Sequence, residues 1–140
     1  MPKRLYLNFH HYFMRLKNFS LVFGVQLFKA LSEEPRVRIL HMLYEKKEMC
    51  ITDLEIVLGF TQAKTSRHLA YLKNSGIVNV RKADQWVFYS IKEEVTDLIK
   101  LLMEYFYKDQ VLNNDLESFD IYLKQGELAK YHLNHNHYLD

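Results

Sequence analysis

The stretch "TDLEIVLGFTQAKTSRHLAYLKNSGIV", residues 52–78, restricts the fold more tightly than any other part of the chain. Thr52 and Glu55 have the spacing of a capping box, in which the hydroxyl accepts from the backbone and the glutamate reaches back, so a short helix is predicted over Asp53 to Leu58. Gly59 fits the C-terminal stop of that helix, because glycine tolerates a left-handed backbone, and Thr61 can cap a second helix two residues later. The second helix should end near Asn74, with Gly76 as terminator. Two short helices joined by a tight glycine turn make a helix-turn-helix unit.

The flanking segments extend this unit. "IVNVRK" and "WVFYSI" are β-branched and aromatic runs separated by "ADQ", which predicts a hairpin with Arg81 and Lys82 near its tip. A basic helix followed directly by such a hairpin describes a winged helix. Upstream, "SEEP" supplies a capping serine, first-turn acids and an early proline, so Ser32 to Pro35 should open a helix through Val37, Ile39, Leu40 and Leu43. Leu5, Phe9, Tyr12, Phe13 and Leu16 recur at helical spacing, and Phe23, Leu27, Phe28 and Leu31 follow after a break near Asn18 to Ser20. Beyond the hairpin, Val95, Leu98, Ile99, Leu102 and Phe106 form one stripe, broadened by Leu101, Met103 and Tyr105. That face is wider than one small core needs, and part of it is assigned to a partner subunit. Leu116, Phe119 and Leu123 keep helical spacing and are assigned to the same interface. The expected fold is mainly α with a small β-hairpin wing: a dimeric winged helix-turn-helix with extra N- and C-terminal helices. Residues 1–140 form one domain, with dimerisation helices in 1–31 and 92–125, the core in 32–91 and a His-containing tail in 126–140.

Charge distribution narrows the function. The net charge of +2 conceals 14 Lys+Arg against 7 Asp+Glu up to Ser90, a net of +7, and 5 against 10 from Ile91 onward, a net of −5. Between Thr61 and Lys82 every charged side chain is basic, the footprint of a nucleic-acid face. The single cysteine, Cys50, allows no internal disulfide, so a cytoplasmic location is expected. His10, His11, Arg15 and Lys17 interrupt the apolar N-terminus before it reaches signal-peptide length, and the run from Phe19 to Phe28 is too short to cross a bilayer. No membrane partner is expected. With no phosphate-binding glycine loop, HExxH or Gly-x-Ser-x-Gly in the chain, an enzyme is not expected either.

On a wheel of about 100° per residue, Thr65, Leu69 and Leu72 share the inward face of the second helix. Ala63, Lys64, Arg67 and Tyr71 point away, with Ser66 and His68 on opposite flanks. Gln62 and Lys64 lie at the N-terminal end, the part of a reading helix that enters the major groove, where an amide or a cation reaches base edges or phosphates. Arg67 suits either contact. Arg81 and Lys82 on the wing suit phosphate or minor groove, which gives affinity and register rather than sequence reading.

The blocks "LFKALSEEPRVRIL", "MCITDL", "TQAKTSRHLAYLKNSGIV" and "RKADQWVFYSI", in this order and spacing, resemble the ArsR/SmtB family of bacterial winged-helix repressors over roughly Leu27 to Ile91. The resemblance implies a homodimer built from the first and last helices. It also implies binding of double-stranded DNA at an inverted repeat and, in many members, release by a metal ion or another inducer. It would make Gln62, Lys64, Ser66, Arg67 and His68 the DNA-contacting residues. The alternative is a winged helix used for protein contacts without sequence-specific DNA binding. The wing departs from the family in having Ala83, Asp84 and Gln85 where many members have a turn glycine; Asp84 can take positive φ, but its charge faces phosphate.

Metal-sensing members carry a CxC ahead of the capping aspartate. Here the motif reads Cys50, Ile51, Thr52, and one thiolate cannot close a soft-metal site. Between Met49 and Ile51, Cys50 behaves as a small hydrophobe; a redox role would require exposure and a basic neighbour, for which Lys46 and Lys47 are the nearest in sequence. The family's last-helix site is absent, since Ile99 stands where a histidine is needed after Asp97. His132, His135 and His137 in "YHLNHNHYLD", joined by Asp140 and across a dimer by His10 and His11, are the remaining candidates for zinc or nickel.

Overall fold

The computed structural model describes residues 19–129. They form α1 (Leu21–Ala30), α2 (Glu34–Lys46), β1 (Glu48–Cys50), α3 (Ile51–Leu58), α4 (Gln62–Asn74), β2 (Val78–Ala83), β3 (Trp86–Ile91), α5 (Glu93–Tyr105) and α6 (Gln110–Lys124). The N-terminal aromatic segment and the histidine tail, with His10, His11, His132, His135 and His137, lie outside the described residues.

The helix-turn-helix is present. Gly59 closes α3 in the left-handed region at φ +68°, its N–H donating to Glu55 O. Thr61 caps α4, its hydroxyl accepting from the Lys64 N–H at 3.2 Å. Phe60, 9% exposed, is the apolar plug between the two helices.

Two predicted caps do not form. The residue before α2 is Glu33, without a side-chain cap bond, and the Ser32 hydroxyl instead donates to Lys29 O at 2.6 Å, closing α1 behind it. The Thr52/Glu55 capping box is likewise replaced: α3 begins at Ile51 with Cys50 at its N-cap and no side-chain cap bond, and Thr52 is exposed within the first turn. The cause is β1, a strand too short to show alternation in sequence. It pairs antiparallel with β3, Cys50 opposite Phe88, so the ladder already supplies the extended backbone from which the helix starts.

The sheet is antiparallel in the order β1-β3-β2. The β2–β3 register runs from Val78 opposite Ile91 to Ala83 opposite Trp86, leaving a two-residue turn in which Asp84 has φ +54°. Ala83 therefore ends a strand rather than opening the loop.

The buried faces of α2, α3, α4 and α5 meet around Leu40, Leu43, Leu54, Leu69 and Ile99. On α5, Val95, Ile99 and Met103 are buried, while Leu101, Tyr105 and Phe106 are exposed. On α1, Gly24, Leu27 and Ala30 face inward, and Leu21, Val22, Val25 and Phe28 are exposed on the opposite face. On α6, Phe119 is 1% exposed in the chain's own core, and the half-buried Leu116 and Leu123 pack against that core. Arg38 of α2 holds α6 in place through a bidentate pair with Asp115, at 2.9 and 2.8 Å. Among the described residues no helix is long and apolar enough to cross a membrane.

Candidate nucleic-acid interface

Helix α4 divides as its period requires. Thr65, Leu69 and Leu72 are buried at 0% exposure, which turns Gln62, Ala63, Ser66, Arg67 and Ala70 to the surface in one stripe. The Thr65 hydroxyl donates to Thr61 O at 2.9 Å, so this buried polar side chain is satisfied by the N-cap of its own helix. Lys64 is half-buried, its ammonium 4.2 Å from the centroid of the Phe60 ring. With no acid between Thr61 and Lys82, the surface of α4 carries only positive formal charge, and its N-terminal backbone N–H groups add the positive end of the helix dipole.

Ala70 was not among the expected contacts. It extends the exposed stripe of Ala63, Ser66 and Arg67 by a further turn. Alanine carries no hydrogen-bonding side chain, but it falls on the same outward face of the wheel as Arg67.

His68 requires a correction. The wheel puts it on a flank of the helix and the family resemblance implies a DNA contact there, yet it is 3% exposed. Its Nδ1 lies 3.5 Å from Arg36 Nη1 and 3.9 Å from Glu33 Oε2, in a concavity of about 270 Å³ lined by Glu33, Arg36, Arg67, His68 and Tyr71. Packing of α2 over this flank, which the wheel cannot represent, removes the ring from the surface. Burial pushes the His68 pKa down, assisted by the cationic Arg67, Arg36 and Lys64 and opposed by Glu33.

On the wing, Lys82 is exposed. Arg81 is partly committed: its guanidinium donates to both oxygens of Glu48 on β1, and that bond raises its pKa above the ordinary value. Glu48 lies across β3 from Arg81, a neighbour visible only once β1 is placed.

A soft-metal site does not fit these residues. Cys50 is 0% exposed, in register with Phe88, while Thr52 replaces the second sulfur and faces solvent. The burial also removes the access that a redox thiol requires, and Lys46 is turned to α6, its ammonium 4.3 Å from the Phe119 ring centroid. Ile99 is 0% exposed. Among the described residues no group of three or more His, Cys, Asp or Glu side chains is arranged to hold a metal.

Residues 29–80 match the family described as "Bacterial regulatory protein, arsR family". The arsenical resistance operon repressor of Escherichia coli (strain K12) is 41% identical over 76 residues, 54% of this chain and 65% of that protein, so the match spans just under two thirds of the relative's length. The transcriptional activator HlyU of Vibrio cholerae is 42% identical over 80 residues, 56% of this chain and 73% of that one. Among solved structures, a homodimeric winged helix-turn-helix DNA-binding domain from Mycobacterium bovis superposes with a TM-score of 0.57 at 26% identity, covering 64% of this chain and 83% of the other.

Proposed function

The chain belongs to the arsR family of bacterial regulatory proteins, and from the arrangement of its surfaces we propose that it is a homodimeric DNA-binding repressor of an inverted-repeat operator, acting in the cytoplasm. The observation that carries this reading is the exposed, acid-free stripe of α4. Gln62, Ser66 and Arg67 stand on a helix whose opposite face is locked into the core, so the helix can enter a major groove as a rigid reader.

The division of labour follows from the chemistry. Gln62 and Arg67 can each make two parallel hydrogen bonds to a base edge, the amide to adenine and the guanidinium to guanine. Lys64, Ser66 and Lys82 supply phosphate contacts that orient the helix without reading sequence. Arg81 contributes part of its charge while it remains paired with Glu48. The apolar residues left exposed on α1 and α5 form the dimer contact, and two-fold symmetry then presents two copies of α4 about one DNA turn apart.

Fluorescence anisotropy of the purified protein on DNA upstream of its own gene, at increasing salt, tests this. Tight binding whose affinity falls steeply with salt supports the reading, because neutralised phosphates release counterions. Salt-independent binding, or none, favours a module for protein contacts. Arg67→Ala should weaken operator binding by about 10-fold, within the range for a lost base or phosphate contact, without lowering the melting temperature. Unchanged affinity would remove Arg67 from the contact set. Loss of the gene should raise expression from the bound promoter; a fall would make the protein an activator and leave DNA binding intact.

A further inference from the structure

Arg36 stands on the apolar face of α2, in line with Ile39, Leu40 and Leu43, and is 5% exposed. A guanidinium removed from water needs partners for its N–H groups, and the partners of this one lead to different elements. Nε donates to Ala30 O at 2.7 Å and Nη2 to Lys29 O at 3.0 Å. Both carbonyls belong to the last turn of α1, beyond the reach of intrahelical donors, and Lys29 O also accepts from the Ser32 hydroxyl and N–H. Nη1 lies 3.1 Å from Glu33 Oε2 and 3.5 Å from His68 Nδ1, and the guanidinium carbon sits 4.0 Å from the centroid of the Tyr71 ring.

His68 and Tyr71 are three residues apart on α4 and therefore adjacent on one flank of it. A guanidinium can only donate, so the Nδ1 lone pair of a neutral His68 is the group that can accept from it. Burial of the ring favours the same neutral form. Arg36 is thus gripped on one side by the C-terminus of α1 and on the other by the flank of α4, through a planar group whose donor directions are fixed.

Resting on the reading of the chain as a homodimeric DNA-binding protein, we propose that Arg36 is a positioning residue: it fixes α4 relative to α1, and so sets the half-site spacing that the dimer accepts. The exposed stripe of α1 contributes to the dimer contact, and α4 carries the DNA contacts. Any rotation of one relative to the other therefore changes the distance between the two reading helices. A lysine at this position keeps the charge but loses the fork, and cannot hold two carbonyls and an aromatic face at once.

The test uses the full-length protein. An operator is selected from random duplex DNA with the wild type, and versions are made with the half-site separation lengthened or shortened by one base pair, together with a single half-site. Wild-type affinity should fall about 10-fold on either altered spacing, since half-site distance is set by the rigid dimer. Arg36→Lys should bind the single half-site within about twofold of wild type while its penalty for altered spacing shrinks to about threefold or less. A spacing penalty that stays at the wild-type value overturns the proposal, as does an equal loss on every duplex, which would mark Arg36 as a stability residue only. If Arg36→Lys does not fold, Tyr71→Leu, at a residue 39% exposed, carries the same measurement with the same two overturning outcomes. A wild type that selects no sequence and binds without salt dependence overturns the DNA reading and this proposal with it, whereas a preserved spacing penalty in the variants overturns this proposal alone.

Discussion

Asp115 and His41 show opposite ways in which a polar side chain is accommodated inside this molecule. The Asp115 carboxylate, 4% exposed, receives two hydrogen bonds from Arg38, whose Nη2 also donates to Leu58 O at 3.3 Å, just before the turn into α4. Asp115→Ala leaves that guanidinium without its anion and should lower unfolding free energy by about 3 kcal/mol, while the paired change Arg38→Met with Asp115→Leu should lose less; chemical denaturation of the three variants measures both. His41, 5% exposed, has a buried Nδ1 with no hydrogen-bond partner among the described residues. Burial pushes its pKa below the ordinary 6.5, outweighing the carboxylates of Glu45, Asp115 and Asp109. The unfolded chain therefore takes up the proton first as pH falls, so this stability is complete above the ordinary histidine pKa and declines below it. His68, shifted the same way, adds to the effect. The denaturation midpoint should fall between about pH 7.5 and about pH 5.5, and His41→Gln should flatten the slope. The outward set Gln62, Ser66 and Arg67 was legible from a wheel alone. Arg36 and His68 were not, although an arginine in register with Ile39, Leu40 and Leu43 is a signal that the position holds a buried charge.

At the scale of elements, the long periodic helices and the glycine turn were legible, whereas the short strand and the caps beside it were not. Three residues, Glu48 to Cys50, cannot show a period of two, and their pairing with β3 is a contact between segments about forty residues apart in sequence. That contact moved the start of α3 to Ile51, displaced the capping box and brought Glu48 beside Arg81. It also generates a prediction for the wing. Glu48→Gln removes the anion that holds Arg81, so DNA affinity at low salt should rise by about twofold to tenfold, and the dependence of log affinity on log salt should steepen by about one unit. An unchanged salt slope would mean that Arg81 does not reach phosphate even when released.

For the whole molecule, the sign of charge and the placement of exposed apolar residues are complementary. The basic segment lies on α4 and the wing, and the acidic excess follows in sequence from α5 onward. The apolar residues exposed on α1 and α5 lie outside the reading stripe. Phe28, 68% exposed, touches little of its own chain, so Phe28→Glu should leave the melting transition of the protomer cooperative while shifting the sedimentation coefficient toward that of a monomer. Operator affinity should then fall by about 100-fold or more, because a single reading helix loses the linked second half-site. A variant that stays dimeric would place the interface elsewhere.

Periodicity, glycine conformation and charge order act over a few neighbouring residues, and they were sufficient to locate α2 to α5, the hairpin, the turn at Gly59 and the outward face of α4. The parts that only folding decided are those made by segments distant in sequence. These are the β1–β3 ladder that starts α3, the clamp of Arg38 on Asp115 that turns Phe119 inward, and the closure of α2 over His68. Burial of Cys50 belongs with them, since the apolar neighbours that suggested packing became a sealed site only when β1 paired with β3. The physical reason is common to all four: a hydrogen bond or a buried charge pair depends on distance in space, and a single chain read in order carries that distance only where its partners are close in sequence.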